Sequence, residues 1–147
     1  MISLPTSVDL FGKMASITPN PSRRTILICS NGFYLRVNDD AIDGVTDIQD
    51  ENIVLEMHSV AIGEIVLFGE KSMKYIAMDN DGNLITTSSL VHTCVFKEKH
   101  LTTGYNTYES KANAGWYLGL TIKGTPKRGP KTSPGQNAVS FLTGDAP

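Results

Sequence analysis

The feature that most constrains this chain is a threefold internal repeat. The same pattern occurs in residues 32–44, 73–82 and 115–124. It consists of a tyrosine, a leucine or isoleucine, an alternating segment, and a polar turn that ends in glycine. The three tyrosines are 41 and 42 residues apart, and a second set of apolar positions has intervals of 41 and 45 residues. These positions are Tyr34, Tyr75 and Tyr117, and then Leu55, Phe96 and Phe141. Each repeat is therefore one supersecondary unit that packs against the other two, and the third carries an insertion.

Each unit has the pattern of short β-strands rather than helices. Residues 34–37 alternate between apolar and polar or nearly so, and residues 65–68 form an apolar run typical of a buried strand. Asp43-Gly44 and Asp81-Gly82 indicate hairpin turns, because glycine adopts a positive φ without steric penalty. The 13 glycines and 7 prolines also interrupt the chain too often for long helices. We expect about four strands per repeat, or about twelve in all.

Three four-stranded units that close on one another form a β-trefoil. This all-β fold is a six-stranded barrel capped by three hairpins, and its closure leaves few exposed sheet edges. Propeller blades have a similar length, but a propeller needs about four or more of them. A Greek-key sandwich with accidental similarity between its parts stays open as the alternative.

The repeats define one domain. We predict a single β-trefoil domain over residues 23–142, a flexible N-terminal arm over residues 1–22 and a short flexible tail over residues 143–147. No apolar run is long enough to cross a bilayer. Residues 1–5 lack the pattern of a secretory signal, which fits either a mature chain or unconventional export.

Side chains that could perform catalysis or bind a metal are scattered. Cys29 and Cys94 are predicted to be buried free thiols, because two cysteines do not make a disulfide framework. His58, His92 and His100 are far apart in the sequence, so no zinc site is predicted. We therefore predict no enzymatic activity, no catalytic or metal-binding residue, and no cofactor.

The cations are concentrated in one part of the chain. Residues 111–142 contain five lysines or arginines and no acid, although the whole chain has a net charge of −2. Lys123, Lys127, Arg128 and Lys131 alternate with glycines and prolines that oppose a regular strand, so they define an exposed basic loop. Exposed cations of this kind suit sulfates or phosphates. The overall charge gives no reason to expect nucleic acid or membrane insertion.

Several segments occur in the order and spacing of one known family. They are Ile28-Cys29-Ser30-Asn31-Gly32 before Tyr34-Leu35-Arg36, then Cys94-Val95-Phe96, then Tyr105-Asn106-Thr107-Tyr108, then Lys127-Arg128-Gly129-Pro130-Lys131-Thr132 before Gly135-Gln136. From about residue 24 to residue 142 the chain resembles the fibroblast growth factors, and most of all their acidic and basic branch. The resemblance implies a β-trefoil ligand that binds a receptor tyrosine kinase ectodomain, with heparan sulfate as co-ligand.

The resemblance makes the basic loop a heparin-binding site to which two amides add hydrogen bonds. The predicted heparin-binding residues are Asn31, Lys123, Lys127, Arg128, Lys131 and Gln136. The chain departs from its relatives where they have cations, at Thr121, Ile122 and Asn137. We therefore expect heparin binding that is weaker than in the strongest family members.

The resemblance also implies a receptor face made of aromatic and polar groups. Its predicted members are Glu98, Tyr105, Asn106, Tyr108 and Leu142. Exposed tyrosines would supply rigid contact area, and Glu98 would accept a hydrogen bond from a donor of the receptor. Three positions depart from the family pattern, so the apolar part of this face is reduced. They are Ile28, Thr46 and Gly144.

The resemblance implies a secreted, extracellular ligand that triggers mitogenic signalling. It would be a monomer in solution, and assembly in pairs on heparan sulfate stays open. The alternative is an intracellular homologous trefoil that binds an ion channel or another protein, so presence in the cytoplasm or nucleus stays open as well. A lectin-type trefoil would carry Gln-x-Trp repeats, but the chain has one tryptophan. An interleukin-type trefoil would not explain the basic loop.

Overall fold

A computed structural model describes residues 22–147, which fold into ten short strands and four short 3-10 helices. The strands are β1 (Ser22–Cys29), β2 (Tyr34–Val37), β3 (Ile42–Val45), β4 (Leu55–Ala61), β5 (Glu64–Gly69), β6 (Lys74–Met78), β7 (Leu84–Thr87), β8 (Phe96–His100), β9 (Asn106–Ser110) and β10 (Phe141–Asp145). The 3-10 helices are Glu51–Ile53, His92–Cys94, Gly129–Lys131 and Asn137–Val139. Across residues 22–147, no helix has the length and apolar character that a membrane span requires.

Six of the strands close into a barrel. Following the antiparallel pairs around the ring gives β1, β10, β9, β8, β5 and β4, and β4 returns to β1. The β2–β3 hairpin extends from β1, and the β6–β7 hairpin extends from β5. This closed barrel with further strands outside it confirms the predicted β-trefoil and excludes the sandwich.

The third hairpin differs from the other two. It consists of two isolated bridges, Glu109 with Tyr117 and Leu120 with Pro126, instead of two paired strands. Proline has no backbone N–H and cannot continue a ladder, so Pro126 limits the pairing. The prediction of about twelve strands is therefore too high, and the irregular hairpin leads directly into the basic loop.

The repeat positions form the core of the barrel. Leu35, Ile76 and Leu118, which follow the three tyrosines, are fully buried. The same holds for the second set of repeat positions, Leu55, Phe96 and Phe141. Neighbouring residues of a strand point to opposite faces, so Tyr34 and Tyr75 face away from this core. Tyr75 is nevertheless buried, in a second apolar cluster.

The two Asp-Gly pairs have different roles. Asp81-Gly82 forms the predicted turn, and Gly82 has a φ of +84°. Asp43-Gly44 lies inside β3, so the prediction of a turn there is wrong. The turn between β2 and β3 is closed instead by the N–H of Asn38, which donates to the carbonyl of Ala41 at 2.8 Å.

Gly44 is required by packing. A Cβ atom at Gly44 would lie 2.8 Å from Phe33 Cβ and 2.8 Å from Leu120 Cδ1. These distances are too short for any side chain, so glycine allows β3 to lie close to Phe33 of its own repeat and to Leu120 of the third repeat.

The end of the chain belongs to the barrel. β10 continues to Asp145, and its pairing with β1 brings Asp145 opposite Thr25. The predicted flexible tail is therefore wrong for residues 143–145. The predicted arm, residues 1–22, lies outside the described residues except for Ser22, which begins β1.

The two cysteines are buried and free, as predicted. Burial raises the pKa of both the Cys29 and the Cys94 thiol, so neither is set up as a reactive thiolate. Within the described part of the chain, no group of three or more His, Cys, Asp or Glu side chains is arranged to hold a metal ion.

An ion-pair network fastens β2 to the segments that follow it. Arg36 donates to both carboxylate oxygens of Asp43 at 2.8 Å and to Asp50 at 2.9 Å. Asp50 also accepts a hydrogen bond from the N–H of Asn52 at 2.8 Å. The bond from Asn52, and then the Arg36 guanidinium, hold the pKa of Asp50 below its usual value, although burial opposes the shift.

We expect Asp50→Asn to lower the free energy of unfolding by about 1 kcal/mol near neutral pH, because asparagine lacks the charge that faces Arg36. A lowered folded-state pKa means that the stabilisation is fully present above the unfolded-state value of about 3.9. It is lost as the pH falls through the folded-state pKa. Urea unfolding should show the difference between wild type and variant shrinking between about pH 5 and about pH 2. A difference that stays constant over this range would contradict the ion-pair account.

Candidate functional site

The basic loop begins in a tight turn. The N–H of Thr121 donates to the carbonyl of Thr125 at 2.8 Å, and the N–H of Gly124 donates to the carbonyl of Thr121 at 3.0 Å. The two threonine hydroxyls are 2.6 Å apart. This turn places Lys123 and Ile122 at an exposed tip, where the Ile122 side chain is 84% exposed. An apolar side chain therefore stands beside the first cation of the loop.

The second half of the loop is fastened to the Asp81-Gly82 turn of the second repeat. Arg128 Nη2 donates to the carbonyl of Asp81 at 3.1 Å, and the N–H of Gly129 donates to the carbonyl of Gly82 at 2.8 Å. A Cβ atom at Gly82 would lie 2.4 Å from Pro130 Cδ. The two segments are therefore in direct contact, and the turn determines where the loop lies.

The inner side of the loop packs against Trp116. A Cβ atom at Gly129 would lie 2.8 Å from Trp116 Cβ, so only glycine allows this approach. The hydroxyl of Thr132 donates to the carbonyl of Gly129 at 2.6 Å and accepts from the N–H of Tyr117 at 2.9 Å. These contacts hold the loop in one conformation before any ligand binds, which reduces the entropic cost of binding.

The cations of the loop are available to an anion. Lys123, Arg128 and Lys131 are exposed and Lys127 is half-buried, which confirms the predicted exposure of the loop. None of them forms a salt bridge with an acidic side chain of residues 22–147. Arg128 uses one N–H for the Asp81 carbonyl, and its guanidinium carries further N–H groups that an anion can reach.

The two amides predicted to bond the sugar form hydrogen bonds to the protein's own backbone. Asn31 Nδ2 donates to the carbonyls of Leu120 at 3.0 Å and Thr121 at 3.1 Å. Gln136 Nε2 donates to the carbonyl of Lys131 at 3.2 Å. The remaining amide oxygens are buried without a hydrogen-bond partner in residues 22–147, and an oxygen of this type cannot donate to a sulfate. Asn31 and Gln136 therefore help to position the loop. Their direct contact with the sugar, for which the Gln136 amide keeps a second N–H, stays a prediction.

A second group of polar side chains lies between β8 and β9. Glu98 Oε2 accepts a hydrogen bond from the Tyr108 hydroxyl at 2.9 Å. His100 Nδ1 is 2.6 Å from Asn106 Oδ1, and His100 Nε2 is 3.8 Å from Glu98 Oε1. We call these four residues the β8–β9 network. It joins three of the predicted receptor-binding residues to a histidine that the resemblance did not indicate.

The exposure expected for Tyr108 is wrong. Its side chain is fully buried, and its ring contacts that of Phe141 edge-on with centroids 6.2 Å apart. Burial, and then the neighbouring charge of Glu98, raise the pKa of Tyr108, so the hydroxyl stays protonated and is a permanent donor to Glu98. Asn106 is also buried, at 6% exposure, whereas Tyr105 is half-buried in the preceding turn. Tyr108 therefore orients Glu98 rather than offering contact area.

Leu142 supplies the apolar part of the predicted receptor face. It lies on β10 with 37% exposure and pairs with Ile28 on β1. Two residues further on, a Cβ atom at Gly144 would lie 3.3 Å from Ile26 Cγ1, and Thr46 is exposed after β3. The structure places Leu142 and Ile28 side by side, but it has no further large side chain at residues 46 and 144.

Two residues of this region were missed by sequence reasoning. His100 and Arg23 line a groove of about 320 Å³ together with Glu98. The sequence did contain a signal that places His100 beside Glu98. Residues two apart on a strand share a face, and His100 follows Glu98 by two residues. Arg23 had none, because its place in the groove depends on the pairing of β1 with β4.

The basic loop and the β8–β9 network both fall within a match to known proteins. The model of the fibroblast growth factor family matches residues 23–142. Fibroblast growth factor 2 from Bos taurus is 38% identical over 118 residues, which are 79% of this chain and 76% of that protein. The proteins of that name from Gallus gallus and Xenopus laevis are also 38% identical over 118 residues, covering 79% of this chain and 75% and 76% of theirs.

Proposed function

Because the chain belongs to the fibroblast growth factor family, we propose that it is a secreted ligand, not an enzyme, that binds the ectodomain of a fibroblast growth factor receptor. Heparan sulfate acts as co-receptor, and the assembled complex triggers mitogenic signalling. The observation that carries this proposal is the basic loop, whose cations have no acidic partner in residues 22–147 and whose backbone is fastened in place.

Heparan sulfate suits the loop on charge and on shape. Its sulfates are a row of fixed anions with condensed counterions, so cations that bind it release those counterions and gain free energy that depends strongly on salt. Lysine ammonium groups interact with sulfates as point charges, and the Arg128 guanidinium can also donate two parallel hydrogen bonds. The acidic remainder of the chain repels the same polyanion, so binding is confined to the loop.

The receptor would contact the outer surface around the β8–β9 network and Leu142. Glu98 has one carboxylate oxygen bonded to Tyr108, and its other oxygen has no hydrogen bond from residues 22–147. Leu142 and Tyr105 add apolar and aromatic area. This combination of an oriented acceptor and neighbouring apolar area is typical of the central part of a protein interface.

The test is binding of the full chain to an immobilised fibroblast growth factor receptor ectodomain, with and without a heparin oligosaccharide. We expect sub-micromolar binding, equivalent to about −8 kcal/mol or better, that is strengthened by the oligosaccharide. Absence of binding under both conditions would contradict the proposal and would point to the intracellular alternative, in which another protein is the partner.

A further inference from the structure

The open carboxylate oxygen of Glu98 faces a side chain that can change its charge. His100 lies on the same face of β8, and its Nε2 is 3.8 Å from Glu98 Oε1. The His100 side chain is 76% exposed, whereas that of Glu98 is 13% exposed. A partner side chain that approaches Glu98 from the solvent therefore passes the more exposed His100 first.

The hydrogen bond from Asn106 decides which ring nitrogen of His100 can respond. Asn106 Oδ1 can only accept, so the contact of 2.6 Å requires the proton on Nδ1 in the neutral ring. The nitrogen that gains a proton on acidification is then Nε2, which is the one that faces Glu98. Protonation would convert a lone pair that faces a carboxylate into a cation that faces it.

The other groups around His100 keep their charge over the same range. Tyr108 remains a neutral donor because its pKa is raised. Arg23 lines the groove from β1 and stays positive, and it forms no salt bridge with Glu98. Met57 and Ile65 of the groove, on β4 and β5, are apolar. Histidine is the side-chain type whose charge changes near neutral pH. His100 is the one histidine among the residues that line the groove.

We propose that His100 controls the affinity of the receptor face by competing with the partner for Glu98. In its neutral form, His100 leaves Glu98 Oε1 open to a cationic side chain of the partner, which enters the groove of about 320 Å³. In its protonated form, His100 binds Glu98 itself and cancels its charge. The inference rests on the proposed receptor binding and adds to it a decrease in affinity at acidic pH.

Two substitutions separate the charge of His100 from its packing. In His100→Asn, the amide can still donate to Asn106 Oδ1 but remains neutral at every pH. In His100→Arg, a permanent cation stands beside Glu98. The wild-type chain should bind the receptor ectodomain about three- to fivefold more weakly at about pH 5.5 than at about pH 7.5, after correction for changes in the receptor.

The variants supply the correction for the receptor's own pH dependence, because wild type, His100→Asn and His100→Arg are measured against the same receptor. His100→Asn should show no decrease between about pH 7.5 and about pH 5.5 beyond that of the receptor, whatever its affinity at about pH 7.5. His100→Arg should bind weakly at both pH values. Equal pH dependence in wild type and in His100→Asn would overturn the inference and leave the proposed function intact. Failure of the wild-type chain to bind at about pH 7.5 would overturn the proposed function and the inference with it.

Discussion

Replacing Lys123, Lys127 and Lys131 together with glutamine is expected to weaken heparin binding about a hundredfold at physiological salt, if each cation near a polyanion contributes about 1 kcal/mol. The three side chains belong to the basic loop, and none has an acidic partner in residues 22–147 that would compete for it. Glutamine keeps a similar length, so the loop retains its backbone contacts. Isothermal titration with a heparin oligosaccharide at several salt concentrations measures both affinity and its salt dependence.

The matched control removes the same charge from elsewhere on the surface. Lys71, Lys97 and Lys99 are exposed, on the turn after β5 and on β8, and their replacement with glutamine changes the net charge by the same amount. The loop variant should lower the slope of log affinity against log salt by about two to three, and the control should leave it nearly unchanged. Equal losses in the two variants would show that heparin responds only to overall charge and not to the loop.

Gly82→Ala is expected to lower the free energy of unfolding by about 3 to 4 kcal/mol and to weaken heparin binding without removing any charge. Gly82 has a φ of +84°, which an alanine adopts only with strain. Its new Cβ would lie 2.4 Å from Pro130 Cδ and 2.9 Å from the backbone nitrogen of Gly129. Because backbone cannot yield as a flexible side chain can, the loop must move away from the turn, and the Arg128 bond to Asp81 is lost with it.

Gly63→Ala separates these two effects. Gly63 also has a positive φ, at +71°, but a Cβ there would have no neighbour within 4 Å. This control should cost only the backbone strain, about 1 to 2 kcal/mol, and should leave heparin binding unchanged. Urea unfolding and heparin titration of both variants provide the comparison. Equal stability and equal heparin affinity in the two variants would contradict the close contact between turn and loop.

The architecture could be predicted because its signal is repeated three times in the sequence. The apolar positions after each tyrosine, Leu35, Ile76 and Leu118, are fully buried in equivalent places. Burial of this kind depends on the alternation of a strand, which is a local property. Three agreeing copies also reduce the influence of any single misleading residue.

Features that depend on contacts between repeats could not be predicted in the same way. Asp43-Gly44 and Asp81-Gly82 carry the same local turn signal, but the first pair lies in β3, paired with β2 and packed against Phe33 and Leu120. Residues 143–145 look like a polar tail and become a strand only because β1 pairs with them.

In the candidate sites, too, local features could be predicted from the sequence and features that depend on contacts between segments could not. Exposure of the basic loop followed from its glycines and prolines, whereas its attachment to the Asp81-Gly82 turn requires contact between two repeats. Tyr105 and Tyr108 look alike in the sequence. The pairing of β9 with β8 and β10 turns Tyr108 towards Phe141, and it leaves Tyr105 in the turn. A side chain predicted to bind a receptor therefore supports another one that faces the surface.

The most direct test of the central claim is receptor activation in cells that express a fibroblast growth factor receptor but lack heparan sulfate. Receptor tyrosine phosphorylation would be measured after addition of the purified chain, a heparin oligosaccharide, or both. A ligand that uses heparan sulfate as co-receptor should give strong phosphorylation only when both are added, and the loop variant lacking Lys123, Lys127 and Lys131 should need far more oligosaccharide. Phosphorylation that stays at the background level with both added would contradict the claim that this chain is a receptor-activating growth factor.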